Sequence, residues 1–148
     1  MKILIIGTIY ADCDDREETL CQHLSSGLKQ RGHEIEVCYL PFKRGIDSVT
    51  GQIFAYDQVC TNRAEAIITV GYPACFIQHW NEKKVSYIFD IIPEVHSKLC
   101  SKIQGAVFLA SEGLKHEMSF HGNMTATVTI LPPDDIRLTD RIEETLVV

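Results

Sequence analysis

The chain has 148 residues, 45% of them hydrophobic and 23% charged, and a net charge of −6. That is an ordinary globular composition, sufficient for one domain with a real core. Its acidic balance, with no basic cluster longer than Lys43-Arg44 or Lys83-Lys84, argues against a nucleic-acid backbone as main partner. No apolar run approaches the ~20 residues that a membrane-spanning helix requires, which leaves only peripheral membrane contact open.

Met1-Lys2 followed by Ile3-Leu4-Ile5-Ile6 imitates a signal peptide, but the apolar core is too short and Asp12, Asp14 and Asp15 follow directly. The run reads instead as a first strand buried on both faces. Leu20, Leu24 and Leu28 then recur every fourth residue, with Cys21 beside them, and predict an amphipathic helix. Asp14 is the expected N-cap, with Glu17 three residues on as the reciprocal member of a capping box. Lys29 and Arg31 suit the negative end of the helix dipole, and Gly32 can take the left-handed conformation that closes the helix. A second strand, residues 34–40, completes a βαβ unit whose crossover is expected to be right-handed.

Residues 41–48 form a basic, glycine-containing loop, and 49–63 read as a helix with Ile53, Tyr56 or Asp57, and Cys60 at helical intervals. Residues 64–70 make a third strand ended by Gly71. Pro73 suits the first turn of a short helix running to Trp80. A fourth strand, 84–89, stops at Asp90, and a short helix around 94–101 leads to a fifth strand, 106–110. Ser111 is a natural N-cap for a helix over 112–120. Residues 126–131 make a sixth strand, closed by Pro132-Pro133, and Thr139 can cap a last helix beginning at Asp140. Short buried strands alternating with helices predict a doubly wound, Rossmann-like α/β domain: a mostly parallel sheet of about six strands with helices on both faces. Its expected extent is residues 1–133. Residues 134–148 are expected to be a tail that packs back, or the start of a linker to a further domain.

Six cysteines (Cys13, Cys21, Cys38, Cys60, Cys75 and Cys100) mostly sit in apolar or helical stretches, where a free thiol acts as a small hydrophobe. There is no CxxC pair. Cys21 with His23, and His96 with Cys100, supply two metal ligands each, and nothing near them in sequence completes either set. No metal or cofactor is expected, and the cytoplasm is the expected compartment.

In an open α/β sheet, ligands bind outside the carboxyl ends of the strands. Those ends supply Thr8, Tyr10, Asp12, Tyr72, Asp90 and Ser111 as candidate substrate-binding residues: a polar rim over an apolar sheet, suited to a small hydroxylated ligand. Each has a plainer role available, as a turn or cap residue. What favours binding is that all fall on one edge. The phosphate signatures GxGxxG and GxxxxGK[ST] are missing, as is GxSxG. The acidic cluster after the first strand does not make a response-regulator pocket, since the third and fifth strands end in Val70-Gly71 and Ala110-Ser111.

MKILIIGTIY, then a helix ending LKQRGHEIEVCYL, resembles the N-terminal half of GT-B-type glycosyltransferases, especially the large retaining family four. AEAIITVGYP, VSYIFD and GAVFLASEGLKHEM followed by ATVTILPPDD fit the same succession across nearly the whole chain. The chain departs from that pattern in lacking a glycine pair at the start of the first helix and in having Phe89, not histidine, before Asp90. The resemblance implies an acceptor-side domain that holds a small-molecule or glycan acceptor. The nucleotide sugar would bind a C-terminal domain not contained in these residues. It implies transfer of a sugar to an acceptor hydroxyl, with no catalytic base assigned here and no activity expected of this chain alone. The alternative is a stand-alone Rossmann-like binding or regulatory module without glycosyl transfer.

Overall fold

The computed structural model describes residues 1–10, 15–42, 61–122 and 124–147. Residues 49–60 of the helix expected over 49–63 lie outside them, and the described residues 61–63 form a turn, not a helix. The strands are β1 (Lys2–Tyr10), β2 (Glu34–Phe42), β3 (Ala66–Val70), β4 (Lys84–Ile88), β5 (Ala106–Leu109) and β6 (Thr127–Ile130). They form one sheet in the order β2-β1-β3-β4-β5-β6, with every neighbouring pair parallel. The helices are α1 (Arg16–Gln30), α2 (Pro93–Leu99), α3 (Glu112–His121) and α4 (Leu138–Val147), with 3₁₀ turns at Pro73–Phe76 and Cys100–Lys102.

The period of two along each strand divides the core into two layers. Ile3 and Ile5 of β1 point to one face, where they meet Leu20, Leu24 and Leu28 of α1 and Leu138, Ile142 and Leu146 of α4. Leu4 and Ile6 point to the other, with Val95 of α2 and Leu114 and Met118 of α3. The sheet is therefore covered on both sides, and all five residues of β3 and of β4 are buried. This is the doubly wound α/β architecture that the alternating pattern implies.

Two local expectations change. The first turn of α1 is not a capping box: Asp15 stands at the N-cap position without a side-chain hydrogen bond, and Asp14 lies outside the described residues. Glu17 is buried and takes its hydrogen bond from Arg16 Nε at 2.9 Å. The last helix begins two residues early, at Leu138. Asp135 accepts from the Arg137 amide and guanidinium, and its carbonyl accepts from the Leu138 amide, so the turn forms before Thr139, which is buried inside the helix. Leu146 packs back into the core, whereas Val147 is half exposed. The other end of α1 follows the sequence closely. Gly32 has φ +87° and donates to Lys29 O, while His33 donates to Leu28 O, the paired bonds of a Schellman turn.

Candidate functional site

The chain runs from β1 outward to β2 and then returns to β3 on the other side of β1. The strand order thus reverses between β1 and β3, and the crevice above their carboxyl ends is the expected ligand position. Thr8 and Gly71 meet there. Gly71 has φ +105°, and a Cβ on it would lie 2.8 Å from Thr8 Cβ. Thr8 is buried, and its Oγ1 accepts a hydrogen bond from the Ala74 amide at 3.2 Å. The two residues close the crevice against each other.

Beside this closed point the first turn of α1 reaches the end of β4. Arg16 donates from Nε to Glu17 and from Nη2 to Asp90 Oδ2 at 2.8 Å, and its guanidinium lies 4.9 Å from the centre of the Phe89 ring. Burial works against the Arg16 charge, but the bonds to Glu17 and Asp90 outweigh it and raise its pKa. Burial also pushes the Glu17 carboxyl above its ordinary value, although the Arg16 bond acts the other way. The result is a cation matched by two carboxylates at the mouth of a cleft of about 530 Å³. The cleft has Leu20, Phe89 and Pro133 as apolar walls and Asp15, Thr19, His23 and Asp134 on its rim.

A larger hollow of about 750 Å³ lies at the opposite, amino edge, between the segments that lead into β5 and β6. The side chains that would offer it polarity are partly committed to the fold. Gln78 donates to Lys102 O, and Gln104 bonds both the amide and the carbonyl of His79. Size alone favours this hollow; the position at the strand ends and the charged groups favour the smaller cleft.

The residues expected to bind substrate fare unequally. Asp90 is about one-third exposed and joins the cleft through Arg16. Tyr72 is wholly buried: its hydroxyl bonds His96 Nδ1 at 2.7 Å and its ring packs edge-on against Phe76. Tyr10 is buried against Phe42 in a similar edge-on contact. Ser111 is exposed and caps α3, its Oγ accepting from the Leu114 amide at 3.1 Å. It leads into a helix on the face opposite α1. Asp12 lies outside the described residues. Arg16, Glu17, Phe89 and Pro133 were not among the sequence candidates. A bond between residues 74 positions apart, as in Arg16 with Asp90, leaves no periodic trace in a sequence.

Cys21, Cys38 and Cys75 carry free thiols. Burial pushes Cys21 and Cys75 up to about 12, so both behave as packing groups rather than nucleophiles. Among the described residues no cluster of three potential metal ligands occurs, and no helix is long and apolar enough to cross a membrane. Compared with family models, curated proteins and solved structures, the chain finds no significant match in any of the three.

Proposed function

We propose that this chain is the acceptor-binding half of a GT-B-type glycosyltransferase, whose complete reaction moves a sugar from a nucleotide sugar to an acceptor hydroxyl. The observation that carries the reading is the cleft at the carboxyl edge. Apolar walls under a rim of carboxylate, hydroxyl and imidazole groups suit a sugar-sized ligand, stacking its ring and bonding its hydroxyls. Arg16 is already matched by Glu17 and Asp90, so the cleft has little to offer a diphosphate. The nucleotide sugar is therefore assigned to a second domain. Asp90 and Asp134 accept hydrogen bonds from acceptor hydroxyls, and Phe89 supplies the flat surface.

The competing reading is a binding module of the same shape with no transfer chemistry. It gains from the sealing of Thr8, Tyr10 and Tyr72 inside the fold, which removes three of the contacts expected for an acceptor. Titration of the chain with methyl glycosides and with UDP-glucose, followed by amide chemical shifts and calorimetry, tests the proposal. Glycosides should shift Arg16, Thr19, His23, Phe89 and Asp134, and UDP-glucose should bind far more weakly. Micromolar binding of UDP-glucose to this chain alone would refute the division between acceptor and donor halves.

A further inference from the structure

Among the described side chains Glu17 is the only carboxylate that is buried, at 2% exposure. Its stem faces the turn after β3, where a Cβ on Gly71 would lie 3.5 Å from Glu17 Cγ. An apolar side chain would fill that place without the cost of desolvating a charge. What the charge does there is hold a neighbour: besides its own amide, Glu17 accepts from Arg16 Nε at 2.9 Å.

Arg16 carries that anchor outward. Its Nη2 donates to Asp90 Oδ2 at 2.8 Å, and its Cζ lies 4.9 Å from the centre of the Phe89 ring. The Arg16 and Asp90 side chains are 36% and 35% exposed, against 3% for Glu17. A pair so exposed does little by itself to fix two flexible side chains. A bond from Nε to a buried carboxylate fixes one edge of the planar guanidinium, and with it the direction in which Nη2 points. Asp90 and Phe89 are the residues that bond and stack the acceptor in the reading above, whereas Glu17 does not line the cleft.

We propose that Glu17 is a positioning residue for the acceptor: through Arg16 it orients Asp90, and so sets acceptor affinity without touching the ligand. This rests on the acceptor-binding reading above and adds to it a buried residue on which affinity depends. A purely structural Glu17 would stabilise the first turn of α1 and leave ligand binding by the folded chain unchanged.

The test is a double-mutant cycle on the whole chain, read with methyl β-glucoside, an uncharged probe whose binding does not follow the net charge of the cleft. Affinity is taken from amide-shift titrations at a temperature where each variant gives the dispersed spectrum of a folded protein. Glu17→Gln keeps the shape and an acceptor oxygen but loses the charge, and should weaken binding about threefold. Asp90→Asn should weaken it about tenfold, and the double variant no more than Asp90→Asn alone, because Glu17 acts through Asp90. Glu17→Leu, an apolar side chain suited to a buried place, should act like Glu17→Gln and serves in its stead if the glutamine variant does not fold. Arg16 supplies a readout that needs no ligand: its Nε–H should exchange slowly with water in the wild type and rapidly in the Glu17 variants. Unchanged glucoside affinity in the Glu17 variants would overturn the inference while leaving the acceptor cleft standing. Additive losses in the double variant, or a loss of affinity without faster Arg16 Nε–H exchange, would overturn the route through Arg16 and Asp90. No binding of methyl glucoside by the wild-type chain at millimolar concentration would overturn the acceptor-binding reading and this inference with it.

Discussion

Gly71 combines a left-handed backbone, φ +105°, with a contact that leaves no room for a methyl group against Thr8. Gly71→Ala must accept both the backbone strain and the clash, so a loss of roughly 2–4 kcal/mol is expected in denaturant melts. A loss below about 1 kcal/mol would mean that the β1–β3 crevice yields easily. Lys84 presents a different problem: it is 2% exposed, and its Nζ donates to the Cys75 carbonyl. Burial lowers its ammonium group from 10.5 to about 8. Below pH 8 the folded and unfolded chains are both protonated, and the cost of burying the charge is constant. Above it the folded chain gives up a proton that the unfolded chain keeps until about pH 10.5. Stability therefore gains from Lys84 as pH rises through that window, by roughly 3 kcal/mol. Cysteines and tyrosines titrate nearby, so the quantity to measure is the difference between wild type and Lys84→Met at each pH. Parallel curves would show that Lys84 keeps its proton in the fold. At Asp90 the expectation concerns binding. Its bridge to Arg16 is about one-third exposed on both sides, so it is worth about 0–1 kcal/mol. Asp90→Asn should barely move the melting temperature yet weaken glycoside binding about tenfold, as loss of a charge-assisted hydrogen bond requires. Unchanged glycoside affinity would remove Asp90 from the site.

Among the elements, α1 is the one whose face decides both packing and site. Leu20, Leu24 and Leu28 bury one stripe against the sheet and α4, while Arg16, Thr19 and His23 line the cleft. Leu24 is wholly buried, so Leu24→Ala should cost roughly 2–5 kcal/mol. Gln30→Ala, at an exposed position off the stripe, should change stability by less than about 0.5 kcal/mol. Equal losses would mean that the helix is rotated. This stripe and the Schellman turn at Gly32 were legible because each depends on residues a few positions apart in sequence. The start of α1 was not, for the same reason in reverse. Glu17 has the spacing of a capping residue, but its carboxylate pairs with Arg16 and is buried where the helix meets β3. Tyr72 illustrates the limit at the site: being next to a strand end does not tell whether a side chain turns outward or, as here, inward to His96.

At the level of the whole molecule, the alternation of short apolar runs with helices was enough to read a parallel sheet with helices on both faces. The order of the strands was not readable, because nothing in a run such as AIITV names its neighbours. That order makes a prediction of its own. β3 and β4 lie inside the sheet, paired on both sides, and every residue of each is buried. β6 stands at an edge among the described residues, pairs only with β5, and has no fully buried residue. An edge strand can detach by breaking one ladder, whereas removing β3 or β4 divides both core layers at once. Amide hydrogen exchange should therefore be slowest in β3 and β4, approaching the free energy of global unfolding, and faster by one or more orders of magnitude in β6. Leu131, just past β6, complicates the picture: its carbonyl accepts from the buried Tyr87 hydroxyl at 2.6 Å, and its amide donates to Leu109 O. These bonds clamp the carboxyl end of the edge strand, beside Pro133 and the cleft. Protection in β6 should accordingly rise from Thr127 toward Leu131, so that the bank of the cleft is its firmest part. Tyr87→Phe removes the clamp's hydroxyl and should level that gradient while leaving β3 and β4 unchanged. A uniform exchange rate along wild-type β6 would show that Tyr87 does not hold the cleft wall.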